Sequence, residues 1–388
     1  MGLDNPSQGP AKAVSKSDRP KVPLTDILLA IANLFVILPS LAVAIIWRRA
    51  TRHSDLAWRE DVKRSLFRSL AALPPSVILS LLPSESPDVT LTSTRFGNAT
   101  DTIAVPVSTS EFSAYWIHKA PSPNDPNHRK VLFWIHGGAY CGGTAFSMAA
   151  SLLRVVELAA DRNIPLDVLS LDYTLAPHAT FPTQQSQAIA AYRSLVETDS
   201  INPNDIIIGG ESAGAHLAIS CLLGATAKGL PRPGAALLLC PWANMTNSAA
   251  SFQRNKYHDV LGKESLDRCT TVALGQNPSE HAKSLLNFSR NTDRLWKWDS
   301  VLPATTWVNV GSHDLFIDDI IAFQQNAVAE GASVELTITK AKTHGWQSMK
   351  DAGSVKAYYA LAPGETVPDG LMEGADSIAS GLFYLLGV

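Results

Sequence analysis

Three stretches of this chain carry the residue types of nucleophilic catalysis. The first is Asp205-Ile206-Ile207-Ile208-Gly209-Gly210-Glu211-Ser212-Ala213-Gly214, an apolar run that enters the pattern G-x-S-x-G and continues into a helix-forming stretch. A serine hydroxyl is a poor nucleophile until a neighbouring base takes its proton, and the oxyanion formed by its attack needs donors already in place. In a chain with 24 glycines the bare pentapeptide carries little weight. The strand before it and the helix after it carry more, because a tight strand-to-helix turn needs glycine where a Cβ would clash and leaves the serine exposed at the helix start.

The second stretch, His136-Gly137-Gly138-Ala139-Tyr140, directly follows an apolar strand and lies 76 residues before Ser212. Glycines here let backbone N–H groups approach a substrate oxygen without side-chain interference. Alone it reads equally as an ordinary Gly-Gly turn; its place at a strand end favours an oxyanion loop. The third piece is an acid and a base. Gly311-Ser312-His313-Asp314 and Thr343-His344-Gly345-Trp346 each follow a predicted strand, so Ser212, Asp314 and His344 occur in the order Ser, Asp, His along one rim of a sheet. Such an order lets His344 act as general base and then acid, while Asp314 fixes its tautomer and stabilises the imidazolium. Rivals exist. Asp318 and Asp319 suit the start of the next helix, and His313 points away if Asp314 points in. His216, one turn past Ser212, reads as a packing or hydrogen-bonding residue, and His178 and His281 have no strand end behind them.

The elements that must position these groups follow from periodicity. Short apolar strands are expected at Val131–Ile135, Val168–Asp172, Ile206–Gly209, Ala236–Cys240, Thr306–Val310 and Val334–Thr339. Helices are expected around 147–160, 183–196, 213–228, 318–330 and 374–386. Near-continuous apolar strands alternating with helices specify an α/β fold with a mostly parallel sheet covered on both faces. Ile103–Val107 and Phe112–His118 read as an antiparallel pair. Residues 56–82 read as helical with a Pro74-Pro75 break. The interval from about 244 to 301 is polar, helical in pattern and too long for an ordinary connection, so an inserted helical cap is expected there.

Composition narrows the partners. A net charge of -3 on 388 residues gives no basic field for nucleic acid, which leaves small molecules and lipid. Cys141, Cys221, Cys240 and Cys269 form no C-x-x-C pair, so neither a zinc site nor a disulfide framework is indicated, and no cofactor is called for. Residues 1–22 read as a disordered tail. Residues 27–47 hold no formal charge, and as a helix they would cover roughly 30 Å, the thickness of a bilayer core. A single-pass membrane anchor is the expectation, with the endoplasmic reticulum as its site. Secretion after signal cleavage is the alternative, since Pro39-Ser40-Leu41-Ala42-Val43-Ala44 resembles a signal-peptidase site. Sequons at Asn98, Asn244 and Asn287 would suit a lumenal glycoprotein.

Taken together these motifs resemble the hormone-sensitive-lipase-like branch of the α/β-hydrolases, whose members include arylacetamide deacetylase and microbial carboxylesterases. The resemblance covers roughly residues 130 to 350. His136 to Tyr140 is similar to the family's HGGG-type oxyanion motif, Asp172-Tyr173-Thr174-Leu175-Ala176-Pro177 with Phe181-Pro182 to its D-Y-x-L-A-P segment, and Gly210 to Gly214 to its G-D-S-A-G elbow. It implies an α/β-hydrolase domain over 56–388 with a two-part cap at about 56–82 and 244–301. The oxyanion donors would be the amides of Gly138, Ala139 and Ala213, with Gly137 shaping the loop and His136 structural. Ala139 stands for the third glycine and Glu211 for the usual aspartate, neither change touching the chemistry. The implied activity is hydrolysis of a carboxylic ester, a short acyl or acetyl group on a hydrophobic alcohol. The same triad would serve an acyltransferase, lactonase or amidase, and the scaffold has also produced non-catalytic receptors.

Overall fold

The computed structural model describes residues 41–47, 49–51, 58–70, 86–97, 99–121, 129–290 and 296–388, with isolated positions 24, 28, 31 and 39. The expected tail at 1–22 and sequon Asn98 lie outside the described residues.

Eight strands form one sheet: β1 (Ile103–Ser108), β2 (Ser113–His118), β3 (Lys130–Ile135), β4 (Leu166–Leu171), β5 (Ile206–Glu211), β6 (Ala235–Leu239), β7 (Thr305–Gly311) and β8 (Val334–Thr339). Their order is β1-β2-β4-β3-β5-β6-β7-β8. Both pairings of β2, with β1 and with β4, are antiparallel; every other neighbour pair is parallel. The sheet is thus α/β and mostly parallel, with the expected antiparallel pair at one edge.

Alternation along β3 shows how the sheet is covered. Val131, Phe133 and Ile135 pack on one face with helices Thr183–Arg193, Ala213–Ala227 and Ile317–Ala329, while Leu132 and Trp134 pack on the other with Ala149–Ala160 and Glu373–Leu386. Strand β4 is buried along its whole length, as a strand covered on both faces must be. Helices Trp346–Ala352 and Val355–Ala360 were not anticipated from periodicity, being only two turns long or less.

Between β6 and β7, residues 244–301 form short helices at Ser251–Arg254, Lys263–Leu274, Glu280–Ser284 and Trp298–Val301, and an isolated bridge joins Asn244 to Asn287. Asn244 is buried, its side-chain amide donating to Asp319 at 3.0 Å, so the folded chain leaves no room for a glycan there. Asn287 is half-buried, its side-chain oxygen accepting from Ser289.

Near the amino terminus, Trp58–Leu70 is helical; residues 71–82 of the expected helical region lie outside the described residues. So does most of the expected anchor at 27–47. Among the described residues no helix is long and apolar enough to cross a membrane. The carboxyl end of the apolar segment, helical over 41–47, partly rests on protein: Ile45 is buried and Trp47 meets Tyr257 edge-on at 6.2 Å. Val43 and Ile46 face outward at 67% and 63% exposure.

Candidate active site

Ser212 ends the turn between β5 and helix Ala213–Ala227, with φ 57° and ψ -119°. A non-glycine residue there is strained by about 1–3 kcal/mol and persists only where its surroundings hold it. They do so through backbone bonds: Ser212 N–H donates to Leu239 at 2.9 Å, and Trp242 N–H donates to the Ser212 carbonyl at 3.1 Å. The turn also has no room for a side chain at Gly214, where a Cβ would stand 2.1 Å from the Ile135 carbonyl oxygen. The start of the helix therefore presses against the end of β3, where His136 begins the neighbouring loop.

His344 follows β8 on the same rim. Its Nε2 lies 2.8 Å from Ser212 Oγ, and its Nδ1 lies 3.0 Å from Asp314 Oδ2. A carboxylate only accepts, so the proton sits on Nδ1 and Nε2 is left to accept from the serine hydroxyl. Asp314 is fully buried and its second oxygen accepts the Phe316 amide at 2.8 Å. Burial opposes a charged imidazolium, but the Asp314 carboxylate hydrogen-bonded to the ring outweighs it and lifts the His344 pKa well above its ordinary value. The Cys240 sulfur stands 3.9 Å from Nε2. Cys240, Asp314 and His344 are the described acid, thiol and imidazole groups that converge within 4.8 Å. With Nδ1 turned to Asp314 and Nε2 to Ser212, no ring nitrogen is left to face a cation.

The loop after β3 lies beside the serine. A Cβ at Gly137 would stand 3.3 Å from Ser212 Cβ, and Gly138 takes φ +108°, with Ala139 and Tyr140 also left-handed at 53° and 63°. Among the described residues the amides of Gly138, Ala139 and Ala213 have no protein acceptor. The expected loop glycines, the elbow and the Ser-Asp-His set are thus brought to one place. Tyr173 braces the loop from below: its ring stacks on His136 at 4.2 Å and its hydroxyl donates to the His136 carbonyl at 3.1 Å. His136 itself is buried with its pKa lowered by that burial, and its Nδ1 lies 2.7 Å from the Gly137 carbonyl.

The rival residues take other positions. Asp318 and Asp319 stand in the first turn of helix Ile317–Ala329, Asp318 paired with Arg254 and Asp319 accepting from Asn244 and Ser289. His313 packs against His258 at 4.9 Å between ring centres. His216 bridges Tyr140 and the Leu285 carbonyl, and His281 donates to Gln185 at 2.8 Å. His178 is exposed on its loop.

Two residues of the site have no counterpart in the sequence-based expectations. Asp259 and Asn255 reach the rim from the 244–301 insertion, both buried. Burial first, and then the Asp314 carboxylate nearby, push the Asp259 pKa up to about 7. They sit in a polar stretch with no strand end or glycine turn to single them out. Glu211, whose replacement of aspartate looked indifferent, accepts from Ser348 Oγ at 2.6 Å beneath the histidine loop, and burial raises its pKa.

The profile of a family described as "alpha/beta hydrolase fold" matches residues 132–348, more than half of the chain. The chain is 28% identical over 241 residues to an acetyl-hydrolase of Streptomyces hygroscopicus, covering 62% of this chain and 74% of that protein. It is 26% identical over 200 residues to hormone-sensitive lipase of Mus musculus, spanning 49% of this chain but only 26% of that protein. Among solved structures, an esterase from the bacterial hormone-sensitive lipase family superposes with a TM-score of 0.61 at 25% identity, covering 85% of this chain and 98% of that one.

Proposed function

Since the chain belongs to the α/β-hydrolase superfamily, in its hormone-sensitive-lipase-like branch, we propose that it hydrolyses carboxylic esters with Ser212 as nucleophile, His344 as base and Asp314 as its partner. The observation that supports this reading is the unbroken hydrogen-bonded series from Asp314 through His344 to Ser212, set beside three unpartnered amides.

In the proposed reaction Ser212 Oγ attacks the ester carbonyl carbon as its proton passes to His344 Nε2. The carbonyl oxygen becomes an oxyanion held by the amides of Gly138, Ala139 and Ala213. Collapse breaks the bond to the alcohol, which leaves with the proton from Nε2, and the acyl group stays on Ser212. Water then attacks the acyl-enzyme with His344 again as base, releasing the acid and restoring the serine. A positioned base contributes typically 10²–10⁴-fold and each oxyanion donor about 10²–10³-fold.

An acetyl or other short acyl group on a hydrophobic alcohol is the proposed substrate class. The acetyl-hydrolase relative supports the short acyl chain. Residues 58–70 and 244–301 are taken as the cap over the pocket; Arg68 of the first comes within 3.9 Å of the position a Cβ would take at Gly262 of the second. Membrane attachment through residues 27–47 belongs to the same proposal. It rests on the uncharged sequence and on the outward apolar side chains of Leu28, Ile31, Val43 and Ile46.

The full chain in detergent, incubated with p-nitrophenyl acetate and a serine-reactive fluorophosphonate, tests the chemistry. Turnover and labelling, both abolished in Ser212→Ala, are expected; a wild-type chain that neither turns over nor labels at Ser212 rejects it. Carbonate-resistant recovery in the membrane fraction, lost on deletion of residues 1–47, is expected of the attachment, and full release of the intact chain by carbonate rejects that part.

A further inference from the structure

The segment after helix Ser251–Arg254 reaches under the catalytic rim with two buried side chains four residues apart. Asn255 Nδ2 donates to the Asp314 carbonyl at 2.8 Å and to the Ser312 carbonyl at 3.2 Å. Asp259 does the complementary work on amides. Its Oδ2 accepts the Leu315 N–H at 2.7 Å, and its Oδ1 accepts the N–H of His344 itself at 2.9 Å and that of Val260 at 2.7 Å. Asp259 N–H and His258 N–H both donate to the Asn255 carbonyl, at 3.0 and 2.8 Å, a single turn that sets the two side chains toward the same loops.

One carboxylate thus ties together the loop that carries the acid and the loop that carries the base. These loops follow different strands, β7 and β8, and approach each other only past the end of the sheet, where ladder hydrogen bonds no longer fix their spacing. The closest backbone tie between them on the site side is His313 N–H to the Lys342 carbonyl at 2.9 Å. Asp259 supplies a second tie, one residue past Asp314 and at His344. A fully buried carboxylate beside the Asp314 carboxylate is electrostatically unfavourable, and the amide donors offset that only in part.

We propose that Asp259 is a positioning residue for the ester hydrolysis, holding the Asp314 and His344 loops at the spacing that keeps Nε2 on the Ser212 hydroxyl. This rests on the reaction assigned above. It follows that the 244–301 insertion completes the geometry of the base. A misplacement of about 1 Å in such a constellation costs on the order of 10²-fold in rate, and Asp259 is fully buried with its oxygens engaged by backbone amides, so the loss is expected on kcat rather than KM.

The test compares wild-type, Asp259→Asn and Asp259→Ala in the full chain with p-nitrophenyl acetate, each rate divided by the sites counted from end-point fluorophosphonate labelling. Asparagine keeps one acceptor oxygen and turns a donor toward the Leu315 amide; alanine keeps neither oxygen. The expected order of kcat per labelled site is wild-type, then asparagine lower by about 10-fold, then alanine lower by about 100-fold, with KM within threefold throughout. A residue that only stabilises the fold would reduce the number of labelled sites and leave kcat per site unchanged, and that result overturns the proposal. Failure of the isosteric asparagine variant to fold also assigns Asp259 to stability and overturns it. Wild-type chain inactive toward the ester rejects the assigned reaction first and this proposal with it, so the two failures are told apart.

Discussion

The Tyr140 hydroxyl lies 2.6 Å from Nδ1 of His216, and Nε2 of the same ring lies 2.9 Å from the Leu285 carbonyl. A carbonyl only accepts, so the proton sits on Nε2 and Nδ1 accepts from Tyr140. One buried, neutral imidazole thereby joins the loop beside Ser212, the helix behind it and the 244–301 insertion.

That ring makes stability depend on pH. Burial lowers the His216 pKa to about 4, against 6.5 for the unperturbed group. Between those values the unfolded chain binds the proton and the folded one does not, so stability contributed by the neutral ring is present above pH 6.5 and is lost as pH falls toward 4. At 1.36 kcal/mol per pKa unit the effect is on the order of 3 kcal/mol. Urea unfolding at pH 7, 5.5 and 4 measures it, and His216→Gln is expected to flatten the dependence. An equally steep loss in the variant would place its origin elsewhere.

Activity has its own pH dependence. In the proposed reaction His344 accepts the serine proton only when neutral, and its pKa is raised, so the rate should be lost as pH falls through a value above the usual 6.5. The acid limb of kcat/KM for p-nitrophenyl acetate should therefore be centred above 6.5, with full activity on the alkaline side. A limb centred below 6.5 contradicts the assignment.

Gly138→Ala separates backbone geometry from simple crowding. At φ +108° a side chain is strained, and the added Cβ would stand 2.2 Å from the Gly142 carbonyl oxygen, so the loop must shift and its amides with it. Loss of about 100-fold or more in kcat is expected, with KM little changed. Gly229→Ala is the control: its φ is also positive, at 73°, but nothing lies within 4 Å of the new atom. It should cost about 1 kcal/mol of stability and no activity.

Glu211→Ala tests the residue that stands for aspartate in the elbow. It removes the acceptor of Ser348 Oγ, which keeps the Gly345 carbonyl at 2.9 Å as a second partner. A cost of about 1 kcal/mol in unfolding free energy is expected, with kcat within tenfold of wild-type. A larger kcat loss at unchanged stability would move Glu211 into the catalytic machinery.

Much of the fold was legible because its signals are local. Apolar runs such as Val131–Ile135 and Ile206–Gly209, short, β-branched and alternating with longer helical stretches, read as strands buried on both faces, and the helices between them carry their own periodicity. The meeting of Ser212, Asp314 and His344 is legible for the same reason: each follows a strand that announces itself, and parallel strands deliver their carboxyl ends to one rim. The glycine at 214 is likewise legible in the pentapeptide, although the atom that excludes a Cβ there, the Ile135 carbonyl oxygen, comes from another strand and is seen only in the fold.

Sequence alone therefore determined the layered α/β architecture and placed Ser212, Asp314 and His344 on loops at one rim of it. Tertiary structure alone decided which polar residues of the insertion reach the rim, that Asn244 is buried against Asp319, that Glu211 holds Ser348, and that Trp47 rests on Tyr257. Each of these pairs is separated by many residues and joined by no periodicity. Asp259 and His344 stand 85 positions apart, and their contact exists only because the insertion folds back beneath two strand ends. A pattern in the chain records what neighbours along it must do; a hydrogen bond between distant segments is set by how the packed layers bring them together.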